Sequence, residues 1–182
     1  VRSSSPRKLS TEAQLYTSAV RALMRRAHSV HEMNEYLGRR AENPDLIKPV
    51  VQKLKEQQYL DDARYARDYA RVHAQGRHQG KFRIARELRG RGVPDRHIEA
   101  ALEAAFAETD ENVLVRARLA RKLKNLRGPL DEKKRASLYR SLLRSGFSAD
   151  AIRDELRAAV RQAHVPEIEE GLPEESGENS EI

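Results

Sequence analysis

The chain has 182 residues, 38% hydrophobic and 35% charged, with no Cys, no Trp, three Phe and six Tyr. That composition excludes disulfides, thiol nucleophiles and cysteine-ligated zinc, and it favours several thin cores between small helices over one core of large side chains. The net charge of +7 is uneven: residues 165–182 hold seven Glu and no Lys or Arg, so the body before them carries +14, which suits a polyanionic partner or an acidic protein surface.

In chain order, residues 1–10 are Ser-rich and basic and are expected to be disordered. They hold no apolar stretch of the kind a secretory signal needs, and no apolar run in the chain approaches the ~18 residues that span a bilayer. A first unit, 11–58, is expected to open with a helix from Thr11 to Ala27. Ser29 and Glu32 then form a capping box for the second helix, and Asn43-Pro44 places an N-cap and an N1 proline before the third. A second unit, 59–109, starts its first helix at Asp61 or Asp62, with Ala66, Tyr69, Ala70 and His73 at helical spacing, and its second near Lys81. A third unit, 110–164, opens with a helix over Glu111–Lys124 whose apolar positions are Val113, Ala117, Ala120 and Leu123. The tail, 165–182, contains Pro166, Gly171, Pro173 and Gly177 among its glutamates and is expected to be disordered.

The three units are tied together by an internal repeat. Leu88, Gly92, Ile98 and Leu102 are spaced four, six and four; Leu142, Gly146, Ile152 and Leu156 repeat this, as do Leu37, Ala41, Ile47 and Val51. Gly92 and Gly146 fall just past a helix end, where a left-handed residue closes the helix and glycine adopts it cheaply. Ala41 in the first copy predicts a different turn there. A unit of about 50 residues buries little on its own and leans on its neighbours. The expected fold is all-α: three tandem three-helix repeats, helix-turn-helix-like, in an elongated curved array.

Signals for catalysis are absent, and the chain reads as a binding protein with no catalytic residues, cofactor or metal site. Gly76-Arg77-His78-Gln79-Gly80-Lys81 looks like a phosphate loop but has three residues between its glycines and Phe82 after the Lys, so it reads as an interhelix loop. The six His are scattered, there is no HExxH or GxSxG, and Asp61-Asp62 read as helix caps. Basic residues form stripes. Arg64, Arg67 and Arg71 share one helix, Lys81, Arg83, Arg86 and Arg89 the next, and Lys133, Lys134, Arg135, Arg140 and Arg144 the matching helix of unit three. These twelve are the candidate partner-binding residues. A sequence-reading DNA module would put such charge on its third helix. In unit two that helix reads Asp95-Arg96-His97-Ile98-Glu99-Ala100-Ala101-Leu102-Glu103, which is poor groove chemistry, and the charge sits on the first and second helices instead.

Tyr59-Leu60-Asp61-Asp62-Ala63-Arg64-Tyr65-Ala66 resembles the Tyr-Leu-Asp-Asp-x-Arg-Phe-Ala signature of the RecX family of regulatory proteins. Ser29, Glu32, Met33 and Leu37 are similar to that family's first unit. Gly80, Arg83, Ile84, Glu87, Leu88, Gly92 and Val93 resemble its second, and Lys134, Leu142, Gly146 and Phe147 its third. The resemblance covers about residues 15–160. Gln58 stands where the family usually has Gly, and Ser145-Gly146 where it usually has Arg-Gly. What the resemblance implies is a mainly negative modulator of the RecA recombinase in DNA repair, recombination and the SOS response. Such a protein is a cytoplasmic monomer that lies in the groove of the RecA–single-stranded DNA filament, with weak contact to the DNA phosphates. It limits filament extension, strand exchange, ATP hydrolysis and coprotease activity. The alternative is a nucleic-acid binder acting without a recombinase. The acidic tail is expected to screen the basic face from within the chain or to serve as a solubilising tail.

Overall fold

In the computed structural model, residues 8–107, 110–126 and 128–164 are described, with side chains through Arg161. The acidic tail and the first seven residues lie outside them. The helices are α1 (Glu12–Leu23), α2 (Val30–Gly38), α3 (Ile47–Glu56, after a 3-10 turn Pro44–Leu46), α4 (Asp62–Arg71, running into a π turn Val72–Gly76), α5 (Lys81–Gly90), α6 (Asp95–Ala107), α7 (Glu111–Lys124), α8 (Glu132–Arg144) and α9 (Ala149–His164). No strand occurs among the described residues. The main packings, α1 and α2 on α3, α4 and α5 on α6, and α7 and α8 on α9, all fall within consecutive triplets, so the fold is three tandem three-helix units.

Local chemistry sets most helix starts. Thr11, Ser29, Asp61, Asp110 and Asp131 each accept from backbone N–H groups of the first turn, and Ser29 and Glu32 complete a capping box. Two predicted features differ. The first helix stops at Leu23, four residues short of Ala27, because buried His28 bonds the Arg26 carbonyl through Nδ1 (2.9 Å) and sets its ring edge-on to Tyr36, drawing the chain out of the helix. On α7 the buried face is Leu114, Val115 and Leu119, while Val113 is 52% exposed. The helix is turned to bury its larger aliphatic side chains against α8 and α9, in place of the small Ala117 and Ala120 stripe.

The buried residues form two clusters, not three. One is the core of unit one, around Leu15, Met33, Leu37, Val50, Leu54 and Leu60. The other runs without a break through units two and three, from Ala66 and Leu88 through Ile98, Leu119 and Leu142 to Phe147 and Ile152. Thin units therefore share burial where they can.

What joins the units is a contact made three times. The turn after each second helix offers one carbonyl, and the segment ahead of it donates to that carbonyl. Leu9 N–H donates to the Arg40 carbonyl (2.8 Å), Ser29 Oγ to the Arg91 carbonyl (2.5 Å) and Gly80 N–H to the Ser145 carbonyl (2.9 Å). In the last two cases the donor is the N-cap of the preceding unit's second helix, so each unit seats that helix end on the next unit's turn. In the first case the donor comes from residues 8–10, expected to be disordered: Leu9 makes a bridge with Ala41, also accepting from Glu42 N–H (2.9 Å).

This contact explains the glycines more fully than the helix ends do. Gly92 and Gly146 have φ of +69° and +86°. A Cβ at Gly92 would lie 2.4 Å from His31 Cβ, and one at Gly146 would lie 2.3 Å from Arg83 N. Both glycines are needed for the left-handed turn and for the approach of the neighbouring helix. Ala41 bridges to the extended Leu9 segment, and its N–H closes α2 on the Leu37 carbonyl (2.7 Å) without a left-handed residue. The Gly76–Lys81 segment is likewise a docked loop. Gly80 lies against Gly146, Phe82 N–H donates to the Gly146 carbonyl (3.1 Å), and Arg118 donates to the Arg77 carbonyl (2.9 Å).

The junction of units one and two is polar. Asp62 Oδ1 accepts from Val30 N–H (2.9 Å), so the second acid of the signature caps a helix of the other unit while Asp61 caps its own. Glu32 joins Arg26 (3.0 Å) and Arg91 (2.7 Å). Burial opposes the Glu32 charge, but the Arg26 bond, the Ser29 N–H and Arg91 outweigh it and hold this carboxyl below its ordinary 4.5.

Three outcomes follow. Gly146→Ala should lower stability in chemical denaturation by about 2–4 kcal/mol, whereas Gly38→Ala, with open space around it, should be neutral or gain up to about 1 kcal/mol. Gln58 has φ +58° where the resembled signature has Gly, so Gln58→Gly should raise stability by about 1 kcal/mol. A carboxyl with a lowered folded pKa stabilises above its unfolded value and loses that contribution as pH falls through the folded one. Hydrogen-exchange protection at Val30 and Glu32 should therefore fall below pH 4.5 before that at Leu88, and Glu32→Gln should remove this step.

Candidate interaction surface

The eight-residue signature turns out to be a lock between units. Leu60 is buried in the core of unit one, and Ala66 in that of units two and three. Asp61 and Asp62 cap two helices, and Arg64 donates to the Gln58 carbonyl (2.9 Å), bracing the left-handed residue. Tyr65 packs on the second core with its hydroxyl toward Glu32 (3.5 Å). Tyr59, at 52% exposure, is its one large apolar side chain left largely outside, beside the exposed Asp61 and Arg64. Leu88, Gly92 and Gly146 are the helix-closing and junction residues already described.

The candidate basic stripes divide in the same way. Arg83 is half-buried at the junction of units two and three, paired with Glu87 (2.8 Å), which also accepts from the Tyr69 hydroxyl (2.7 Å). It does not stand on an open face with Arg86 and Arg89, because Gly146 packs against its backbone. Arg89 pairs with Asp95 (2.7 Å) and Arg71 with Asp68 (3.5 Å), both exposed and weak. Lys81 Nζ sits 5.2 Å from the Phe106 ring centroid, and Lys134 bonds the Pro129 carbonyl (2.8 Å). Arg67 and Arg86 on α4 and α5, and Lys133, Arg135, Arg140 and Arg144 on α8, are exposed and lack an ion-pair partner among the described residues. On α7, Arg116 is spent in a bidentate pair with buried Glu155 (2.8 Å at both oxygens).

Two features went unseen in the sequence. Beside the docked loop, Arg83, Arg118, Arg121 and His78 face one another closely enough that burial, then the neighbouring guanidinium groups, lower the pKa of both Arg118 and His78. The loop and α7 are 40 residues apart in sequence, so no local pattern could have placed them together. At the other junction a groove of about 560 Å³ opens between Tyr59, Tyr65, Tyr69, His73, Arg26 and Arg91. The Tyr69 and His73 rings stack 3.8 Å apart, and the Arg91 guanidinium lies 5.1 Å from the Tyr69 centroid. Burial, reinforced by the Glu87 acceptor, pushes the Tyr69 hydroxyl up to about 12, so it remains a donor at any physiological pH. The spacing of Tyr65, Tyr69 and His73 at successive turns was the available signal for this face.

The chemistry on offer is recognition. Guanidinium groups, a neutral phenol and aromatic faces suit carboxylates, phosphates and planar groups. Among the described residues no group of three His, Asp or Glu could hold a metal ion, and no helix is long and apolar enough to cross a membrane.

Residues 61–102, from the Asp61 cap to the end of the repeat in α6, match the family model for the second three-helix domain of RecX. The regulatory protein RecX of Halorhodospira halophila is 37% identical over 143 residues, spanning 78% of this chain and 86% of that protein. The RecX of Geobacillus kaustophilus is 34% identical over 140 residues, and there the match spans 75% of this chain but 51% of that longer protein. In fold, the chain is similar to a crystal structure of a regulatory protein RecX, with a TM-score of 0.66 and 24% identity over 79% of this chain and 72% of that one. It is also similar to the crystal structure of RecX from Lactobacillus salivarius, with a TM-score of 0.63 and 21% identity over 82% and 97%. With the capped signature, the two glycine turns and the three helical triplets all in place, the chain belongs to the RecX family of regulatory proteins.

Proposed function

We propose that this protein is a mainly negative regulator of the RecA recombinase in DNA repair and the SOS response. It acts in the cytoplasm as a monomer laid along the groove of the RecA–single-stranded DNA filament, where it limits filament extension, strand exchange and the ATPase and coprotease activities. The observation that carries this reading is the 37% identity to a RecX across most of both chains. The surface is compatible with it. Tandem units joined end to end present repeated basic patches, the arrangement that following a helical groove of acidic protein and phosphate requires. A binder of bare nucleic acid is the second reading, favoured by the Arg118–Arg121–His78 cluster and the Tyr- and Arg-lined groove.

RecA ATPase on single-stranded DNA, measured with substoichiometric protein, should fall, and filaments should shorten. Unchanged ATPase and filament length would reject a RecA partner. Binding to bare DNA that is as tight as binding to the filament, with a steep salt dependence, would favour the second reading. Arg67→Glu combined with Arg86→Glu should weaken inhibition by roughly 10-fold at unchanged helicity. Arg83→Glu should instead lower stability, because Arg83 sits in a junction and pairs with Glu87.

A further inference from the structure

In the first two units the N-terminus of the second helix is covered by the following unit. In unit three the described residues end with α9, and among them the face between α8 and α9 is uncovered. A groove of about 500 Å³ runs along it. Its floor is apolar, made by Ala136, Tyr139, Leu156 and Val160, and its rim is cationic, made by Arg135, Arg140, Arg153, Arg157 and Arg161, with Glu132 at one end. Arg153 bonds Asp150 and Arg157 lies 3.7 Å from Asp154, each a surface pair one helical turn apart and weakly held. Arg135, Arg140 and Arg161 have no ion-pair partner among the described residues.

The chain carries a segment of complementary chemistry directly beyond α9. Residues 165–182 contain Glu167, Glu169, Glu170, Glu174, Glu175, Glu178 and Glu181, and among the first of these stand Ile168 and Leu172, four apart. An acidic segment with two aliphatic side chains at that spacing offers carboxylates to a guanidinium rim and methyl groups to an apolar floor. Reach is no obstacle. From Arg161 back to Arg153 is about 12 Å along the helix, and four extended residues cover that. Val165-Pro166 disfavours continuation of α9 and gives the chain a place to reverse.

We propose that the acidic segment 165–182 folds back into the α8–α9 groove, with Ile168 and Leu172 on Tyr139, Leu156 and Val160 and with its glutamates on the arginine rim. The tail then screens one defined face, in place of the general screening its charge alone suggests, and it masks Arg135 and Arg140, two of the exposed cations on the candidate surface.

The test uses the full chain without any recombinase, so its outcome is independent of the proposed function. Because the chain has no Cys, Glu170→Cys gives a single attachment point for a nitroxide. At about 50 mM salt, paramagnetic broadening should be strongest at the amides of Ala136, Tyr139, Leu156 and Val160, and it should fade at about 0.5 M salt as the ion pairs are screened. Arg157→Glu with Arg161→Glu should abolish it, and so should Ile168→Ser with Leu172→Ser, which leaves every charge in place. Broadening confined to the last turn of α9 would overturn the proposal, as would broadening centred on α4 and α5. Broadening at the groove that survives the serine pair would overturn the seating of the two aliphatic side chains.

Discussion

The N-termini of α2 and α5 are each seated on the turn of the next unit, through Ser29 and Gly80. A turn carbonyl, at Arg40, Arg91 and Ser145, receives one donor from the segment ahead of it. This fixes the spacing of the units and the conformation of the turns, and it decides which residues at those turns can carry a side chain. Two helices meeting at a backbone carbonyl come too close for a Cβ, so the turn must be glycine wherever a helix docks and need not be where a single extended segment does. The contact is small. It is set by backbone geometry, which is why it recurs although the side chains around it differ at every copy.

The two junctions surround this shared contact with different chemistry. Between units two and three the apolar core is continuous, and the docked loop adds backbone hydrogen bonds and the Arg118 brace. Between units one and two the cores are separate, and the seam is made of Asp62, Glu32, Arg26, Arg91 and the Ser29 cap. Apolar burial is insensitive to salt and to mild acid, whereas a seam of caps and ion pairs weakens with both. The first seam is therefore where the array yields first, and the Tyr- and Arg-lined groove opens beside it.

Charge in this protein is divided between structure and surface. Arg83, Arg91, Arg116 and Arg118 are committed to junctions or to a buried carboxylate. Arg67, Arg86 and the α8 series remain outward. A basic body is thus a poor guide to a binding face until the internally paired cations are set aside, and of the candidate stripes what remains lies on α4, α5 and α8.

The sequence by itself determined the helical class, the three units, the caps at Ser29, Asn43 and Asp61, and the left-handed glycines. All of these depend on residues a few positions apart, and helical periodicity and capping are local physics. The repeat also fell within its reach, because one turn geometry imposes one spacing wherever it occurs. The stop of α1 at Leu23 and the rotation of α7 away from Val113 were decided by tertiary packing, since which of two apolar faces is buried depends on the partner helix. Tertiary structure also set the roles of Asp61 and Asp62 apart. Adjacent in the chain, they serve helices 32 residues apart, and only the seating of one unit on the next makes one of them a cap for itself and the other a cap for its neighbour.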